Sequence, residues 1–174
     1  VDLVKNSRFT LVCLLLFNLV YIAQVGAISR GEIAPDFKVT SANGQTFQLS
    51  EFKDKKPVYL IFWNTWCPFC IRKMPHYQEI YTFYGDSIEV LAINTSRKDS
   101  YSNMLKFIDR HQLDIPMTFD FGAKVSNLYD VINTPTVFII DVKGVVRYRN
   151  NVPDDIGPLL AKWQVVSEGV SSSY

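Results

Sequence analysis

The tightest constraint in this chain lies between positions 57 and 84. Pro57 to Trp63 is an almost unbroken apolar run, the pattern of a strand covered on both faces. Immediately beyond it comes Trp66-Cys67-Pro68-Phe69-Cys70, and from Pro68 to Tyr84 the residues Met74, Tyr77, Ile80, Tyr81 and Tyr84 recur at helical spacing. This predicts an amphipathic helix that begins at the cysteine motif, with a kink at Pro75. A fully covered strand feeding straight into such a helix implies an α/β fold with a central parallel sheet and helices packed against it.

The remainder reads as alternating strands and helices. Phe37 to Thr40 and Thr46 to Leu49 flank Ser41-Ala42-Asn43-Gly44-Gln45, which predicts a leading β-hairpin. Strands follow at Ile88 to Asn94 and Pro116 to Asp120, with helices at Tyr101 to Arg110 and near Ala123 to Tyr129. Thr136 to Asp141 and Val145 to Arg149 form a second hairpin around Lys143-Gly144, and Asp154 to Trp163 closes the fold as a helix. There is no internal repeat. With 174 residues, 48% of them apolar and 14% aromatic, one domain with a substantial core is expected, over residues 31–166. Residues 167–174 read as a frayed tail. Lysines and arginines total 18 against 17 acids, so nothing in the charge favours nucleic acid. Lys53-Asp54-Lys55-Lys56 and Arg97-Lys98-Asp99 read as solvated turns, and His76 and His111 as surface residues.

Ahead of the domain, Phe9 to Ile28 carries no charge, about the roughly 20 residues that cross a bilayer as a helix. Lys5 and Arg8 precede it, which by the positive-inside bias sends everything after Arg30 across the membrane. Residues 1–30 are therefore expected to be a membrane anchor or a signal peptide. Val25-Gly26-Ala27 supplies the small residues of a cleavage site, so both readings stand.

Three cysteines are too few for a disulfide-stapled scaffold. Cys13 sits in the apolar run as a passive small hydrophobe. Cys67 and Cys70 are different, because a thiol at a strand-to-helix junction lies near the unsatisfied N–H groups of the first helical turn. Those donors favour the thiolate, the form that attacks a disulfide. Pro68 suits the first helical position, where a missing N–H costs least. Cys70 lies on the same helical face one turn deeper, so it can resolve a mixed disulfide formed by Cys67. An exposed attacking sulfur and a shielded resolving sulfur are expected. A zinc site would need two further ligands, and only His76 and His111 are available outside the apolar run. A c-type haem attachment would need His after Cys70, where the chain has Ile71. An inert structural disulfide leaves the strand-to-helix placement unexplained.

The chain resembles thioredoxin-like proteins, and within them the TlpA/ResA/DsbE group of extracytoplasmic thiol–disulfide oxidoreductases. The resemblance covers about Gly31 to Val166 and is carried by four ordered elements. These are Ala34-Pro35-Asp36-Phe37, Phe62-Trp63-Asn64-Thr65-Trp66-Cys67-Pro68-Phe69-Cys70, Met74-Pro75 and Thr134-Pro135-Thr136-Val137-Phe138. It implies a thioredoxin fold with a central mixed β-sheet flanked by helices, the N-terminal hairpin, and an inserted strand–helix unit. The 65 positions from Cys70 to Pro135 leave room for that unit. It further implies that Pro135 is cis and packs against the disulfide, that the Thr134 backbone lies beside Cys67 and pairs with an extended substrate, and that Trp66, Pro68 and Phe69 form an apolar rim. Two departures stand out. Lys73 replaces the glutamate common three residues after the second cysteine, and Ile61 occupies the strand position of thioredoxin's buried acid, leaving proton transfer to water.

The function expected is exchange of disulfides in exported proteins, with cysteine-containing clients and a membrane or extracytoplasmic redox partner. A reductive direction is favoured, such as the preparation of apocytochrome cysteines for cytochrome c maturation. No cofactor or metal is called for. The expected place is a bacterial cell envelope, on the extracytoplasmic face of the inner membrane or in the periplasm. Two alternatives remain. A peroxidase of the AhpC/TSA type shares the Ala34-Pro35-Asp36-Phe37 element but needs a Pro-x-x-x-Thr-x-x-Cys signature that is absent. A non-catalytic copper-delivery module on the same fold would use cysteines one residue further apart.

Overall fold

The computed structural model describes residues 28–150 and 152–163. The apolar run over residues 9–27, its flanking charges, Cys13 and the tail over 167–174 lie outside the described residues. Among the described residues no helix is long and apolar enough to cross a membrane.

The elements fall close to where the sequence predicts them. A hairpin of β1 (Lys38–Thr40) and β2 (Thr46–Gln48) leads. It is followed by β3 (Val58–Trp63), α1 (Pro68–Tyr84), β4 (Glu89–Asn94) and α2 (Tyr101–His111). Then come β5 (Met117–Phe119), α3 (Lys124–Leu128), β6 (Thr136–Ile140) and β7 (Val146–Arg149). A closing helix, α4, occupies residues 157–163. The main sheet runs β5-β4-β3-β6-β7. It is parallel across β3, β4 and β5 and antiparallel across β6 and β7, so the central sheet is mixed rather than parallel throughout. The extra length between Cys70 and Pro135 is taken up by β4, α2, β5 and α3, with β5 added as a short parallel edge strand.

All six residues of β3 are buried, and the two-residue period of a strand decides which layer each one joins. Tyr59, Ile61 and Trp63 face one layer with Val90, Ala92, Val137 and Ile139, covered by Cys70, Met74, Tyr77 and Ile80 of α1 and Met104 and Phe107 of α2. Val58, Leu60 and Phe62 face the other with Leu91, Ile93, Phe138 and Ile140, covered by Phe37, Phe47, Leu49, Val125 and Tyr129. The apolar run thus serves two cores. Ile61 is fully buried in the first of them.

The leading hairpin is held onto the second layer from several directions. Phe37 stacks on Phe47 with ring centroids 5.4 Å apart, and Tyr129 meets Phe37 edge-on. The Ala42 N–H donates to the Met117 carbonyl at 2.7 Å, and the Thr118 hydroxyl to the Thr40 carbonyl at 2.9 Å. The Asp36 carboxylate accepts from the Ser50 N–H and the Gln48 amide. At the far edge, the Arg149 guanidinium donates to the carbonyls of Ile28 and Asp130, each at 2.8 Å.

Strand register brings the site together. Trp63 stands opposite Asn94 and Phe62 opposite Thr136. The carboxyl end of β3 and the amino end of β6 therefore meet at one edge of the sheet, where Cys67 follows the former and Pro135 precedes the latter. The α1 helix keeps its span through Pro75, whose missing N–H deprives the Ile71 carbonyl of its helical donor.

The fully buried Tyr129 donates its hydroxyl to the Pro35 carbonyl at 2.8 Å. Tyr129→Phe is expected to lower unfolding free energy by about 1 kcal/mol, and Tyr129→Ala by about 3–5 kcal/mol through the cavity it leaves among Phe37, Phe62 and Phe138. Urea unfolding monitored by circular dichroism measures both.

Candidate active site

β3 ends at Trp63, and the chain makes a short turn through Asn64, Thr65 and Trp66 before α1 begins. Cys67 is the N-cap of α1, with extended backbone at φ −84° and ψ 109°, and Pro68 takes the first helical position. In place of the usual side-chain oxygen, the Cys67 Sγ accepts the cap hydrogen bond from the Cys70 N–H at 3.1 Å. The sulfur thus lies against the donor end of a 17-residue helix, the environment that stabilises a thiolate. Cys67 and Cys70 are joined as a disulfide with Cα atoms 5.2 Å apart.

Opposite this turn, the Thr134–Pro135 bond is cis, as the resemblance implied. The Thr134 carbonyl lies 3.4 Å from the Cys67 Sγ. With the sulfur in a disulfide there is no S–H to donate, so this is a contact in the oxidised form. In a reduced form that keeps this geometry, the same carbonyl would accept from the Cys67 thiol and disfavour its thiolate. The Cys70 amide and the Thr134 carbonyl therefore act in opposite senses on one proton.

One expectation needs correction. Cys67 is only 3% exposed, against 0% for Cys70, so the attacking sulfur is not an open one in this state. The bond to Cys70, the first turn of α1 and the Thr134 carbonyl enclose it. What is exposed is the rim: Trp66 at 52% and Phe69 at 65%, with Pro68 between them. Arg72 lies over the Phe69 ring at 4.4 Å from its centroid.

The turn is supported by a polar network that the sequence reading did not find. Asp99 accepts from the Thr65 N–H at 2.7 Å, the Thr65 hydroxyl at 2.8 Å, the Asn94 amide at 2.8 Å and the Ser100 N–H at 2.9 Å. The buried Asn64 side chain accepts from the Thr95 hydroxyl at 2.8 Å and donates to Asn94. The Trp66 indole N–H donates to the Arg97 carbonyl at 3.0 Å. The Arg97 guanidinium in turn reaches the Val131 carbonyl and the Asn127 side chain, just before the Thr134–Pro135 step. Arg97 and Asp99 are thus tied inward, and of that charged triplet Lys98 is the exposed member. A signal was present in hindsight: Asn64 and Asn94 each follow an apolar strand run, and adjacent parallel strands bring such ends together.

Lys73 is paired with Asp154, with Nζ 2.9 Å from Oδ1. The hydrogen bond from Lys73, reinforced by its charge, holds the Asp154 carboxyl below the usual range. His76 lies in the same neighbourhood, 4.0 Å from Asp154, and His111 packs against the Phe107 ring.

Burial alone would push the Asp99 carboxyl up, but the hydrogen bonds from Thr65, Asn94 and Ser100 outweigh it and hold the group below the ordinary carboxylate range. A carboxyl depressed by folding stabilises the fold fully above its unfolded pKa of about 3.9 and loses that contribution as pH falls through the lowered folded value. Asp99→Asn is therefore expected to be less stable than wild type by about 1–2 kcal/mol near neutrality, with the gap closing at acid pH. Urea midpoints of both proteins between about pH 7 and pH 2.5 test this. A gap that stays constant throughout would mean that the carboxylate charge contributes nothing.

Comparison with known proteins agrees with this geometry. The model of the AhpC/TSA family matches residues 30–149. The thiol-disulfide oxidoreductase ResA of Geobacillus kaustophilus is 38% identical over 122 residues, covering 70% of this chain and 68% of that protein. Among solved structures, the exposed lipoprotein thioredoxin Etrx1 of Streptococcus pneumoniae superposes with a TM-score of 0.62 at 28% identity, covering 75% of this chain and 99% of that one. A thiol:disulfide interchange protein of the thioredoxin family from Chlorobium tepidum shares the fold with a TM-score of 0.66 at 19% identity, covering 79% and 99% of the two chains. With its Cys-x-x-Cys pair intact, the chain belongs to the AhpC/TSA family of thioredoxin-like proteins, among its ResA-like thiol–disulfide oxidoreductases.

Proposed function

We propose that this oxidoreductase reduces disulfides of exported proteins, with Cys67 as the attacking thiol and Cys70 as the resolving one. The Cys67 thiolate attacks one sulfur of a client disulfide. A bond from Cys67 to the client forms, the client S–S bond breaks, and the second client sulfur leaves as a thiolate that takes up a proton. Cys70, deprotonated in its turn, then attacks the Cys67 Sγ and releases the remaining client thiol. The client gains two electrons and two protons, and the protein is left with the Cys67–Cys70 disulfide. A dithiol donor at the outer face of the membrane returns the pair to its reduced form.

The observation that carries this reading is the cap hydrogen bond from the Cys70 N–H to the Cys67 Sγ, which supports Cys67 as the sulfur that holds negative charge. The backbone of Thr134 beside it suits pairing with an extended client segment, and Pro135 together with Trp66, Pro68 and Phe69 frames the approach. An extracytoplasmic location is supported by the uncharged run from Phe9 with Lys5 and Arg8 before it. The description of the Streptococcus pneumoniae relative as an exposed lipoprotein points the same way. Residues 1–30 then serve as anchor or export signal for a domain over residues 31–166, and apocytochrome cysteines are among the clients in reach of such a protein.

Cys67→Ser is expected to abolish insulin reduction, whereas Cys70→Ser accumulates mixed disulfides with client proteins, visible on non-reducing gels. Trapping by Cys67→Ser but not by Cys70→Ser would reverse the two roles. The direction is tested by equilibrating the pair with glutathione. A reduction potential near about −270 mV is expected of a reductant, and one near about −120 mV would make the protein an oxidant.

A further inference from the structure

Beside the Cys67–Thr134 contact lies a groove of about 300 Å³, lined by Asn64, Trp66, Arg97, Lys98, Ile132 and Thr134. Its two walls are apolar and open to solvent: the Trp66 ring is 52% exposed and Ile132 74% exposed. Asn64, Thr95, Asn133 and Thr134 add polar lining, and its only charged lining residues are cations. The Arg97 guanidinium is bonded to two neutral acceptors, the Val131 carbonyl and the Asn127 amide oxygen, and forms no ion pair among the described residues. Lys98 is exposed and forms no ion pair among the described residues. On the other flank of Cys67, Arg72 rests over Phe69, likewise without an acidic partner among the described residues. The acids nearby are turned to other partners, and Asp99 stays charged. Asp99 has both oxygens turned toward Thr65, Asn94 and Ser100, and Asp154 is paired with Lys73.

The Thr134 N–H has no backbone partner among the described residues, and its carbonyl faces the Cys67 sulfur. An extended segment laid along Thr134 to present a sulfur to Cys67 would carry its neighbouring side chains past Trp66 into this groove. A carboxylate arriving there meets two cations between apolar walls, where the effective dielectric is lower than in open water. A basic side chain meets like charge there, offset only in part by the ionised Asp99, whose oxygens face Thr65, Asn94 and Ser100.

We infer that the groove formed by Trp66, Arg97, Lys98 and Ile132 takes an acidic side chain flanking the client's cysteine, so that the protein selects disulfides set beside Asp or Glu. This specificity rests on the redox reading above, with Lys98 as the principal contact because Arg97 is committed to holding the loop.

The test uses the reduced protein and two disulfide-looped peptides, identical except that one has Glu and the other Lys on both sides of one cysteine. At low ionic strength wild type is expected to give a kcat/KM about five- to tenfold higher for the Glu peptide, a preference that shrinks toward unity at about 0.5 M salt. Lys98→Glu should invert it. Lys98→Asn, which suits the left-handed backbone at φ 52°, should bring it close to one. Lys162→Glu, the same change of charge on α4, should keep it. Equal rates for the two peptides in wild type, or a preference that survives both Lys98 variants, would overturn the inference. Wild type is also assayed with the small neutral hydroxyethyl disulfide. If that too goes unreduced, the redox reading has failed and the specificity falls with it, whereas reduction of it without discrimination between peptides removes the specificity alone.

Discussion

The structure turns on the junction where β3 hands over to α1. The turn that follows this buried strand places a sulfur where a helix has an amide proton to offer. The Cys67 Sγ takes the position a serine or aspartate oxygen would occupy at an ordinary helix start. One geometric fact therefore serves two purposes: it satisfies a helix terminus and sets an amide proton against the Cys67 sulfur. The sheet register supplies the rest, because the antiparallel pairing of β6 with β3 brings Thr134 and Pro135 to the same edge.

Much of this was legible in the sequence, for a physical reason. Apolar periodicity reports which face of an element is covered, so the strands, the helices and the amphipathic α1 could be placed within a few residues of their ends. Cap chemistry is local too, and Pro68 followed by a helical pattern located Cys67 at the helix start. What stayed hidden were interactions between residues some thirty positions apart with no period to betray them. Asp99 lies in a charged triplet that reads as a solvated turn, yet its carboxylate collects four donors, two of them from Thr65. The same holds for Arg97, whose guanidinium looks inward to the loop before Pro135. The burial of Cys67 was missed because exposure at a loop is set by what packs across from it, here Thr134.

The two supports of the site differ in kind. The layers on either side of β3 are apolar, and the first of them takes in both cysteines. The network of Asn64, Asn94, Thr95 and Asp99 is polar and almost fully satisfied, and it fixes the turn that carries Trp66 and Cys67. Such a network specifies a single arrangement, since any other leaves buried donors without acceptors. The replacement of two familiar acids by Lys73 and Ile61 is consistent with this division: Ile61 joins a core, and Lys73 joins a surface ion pair.

The Arg149 guanidinium clasps the carbonyls of Ile28 and Asp130 together. Asp130 opens the loop that ends at Thr134, so a single side chain of β7 ties the segment leading into the first hairpin to the loop whose last carbonyl faces the Cys67 sulfur.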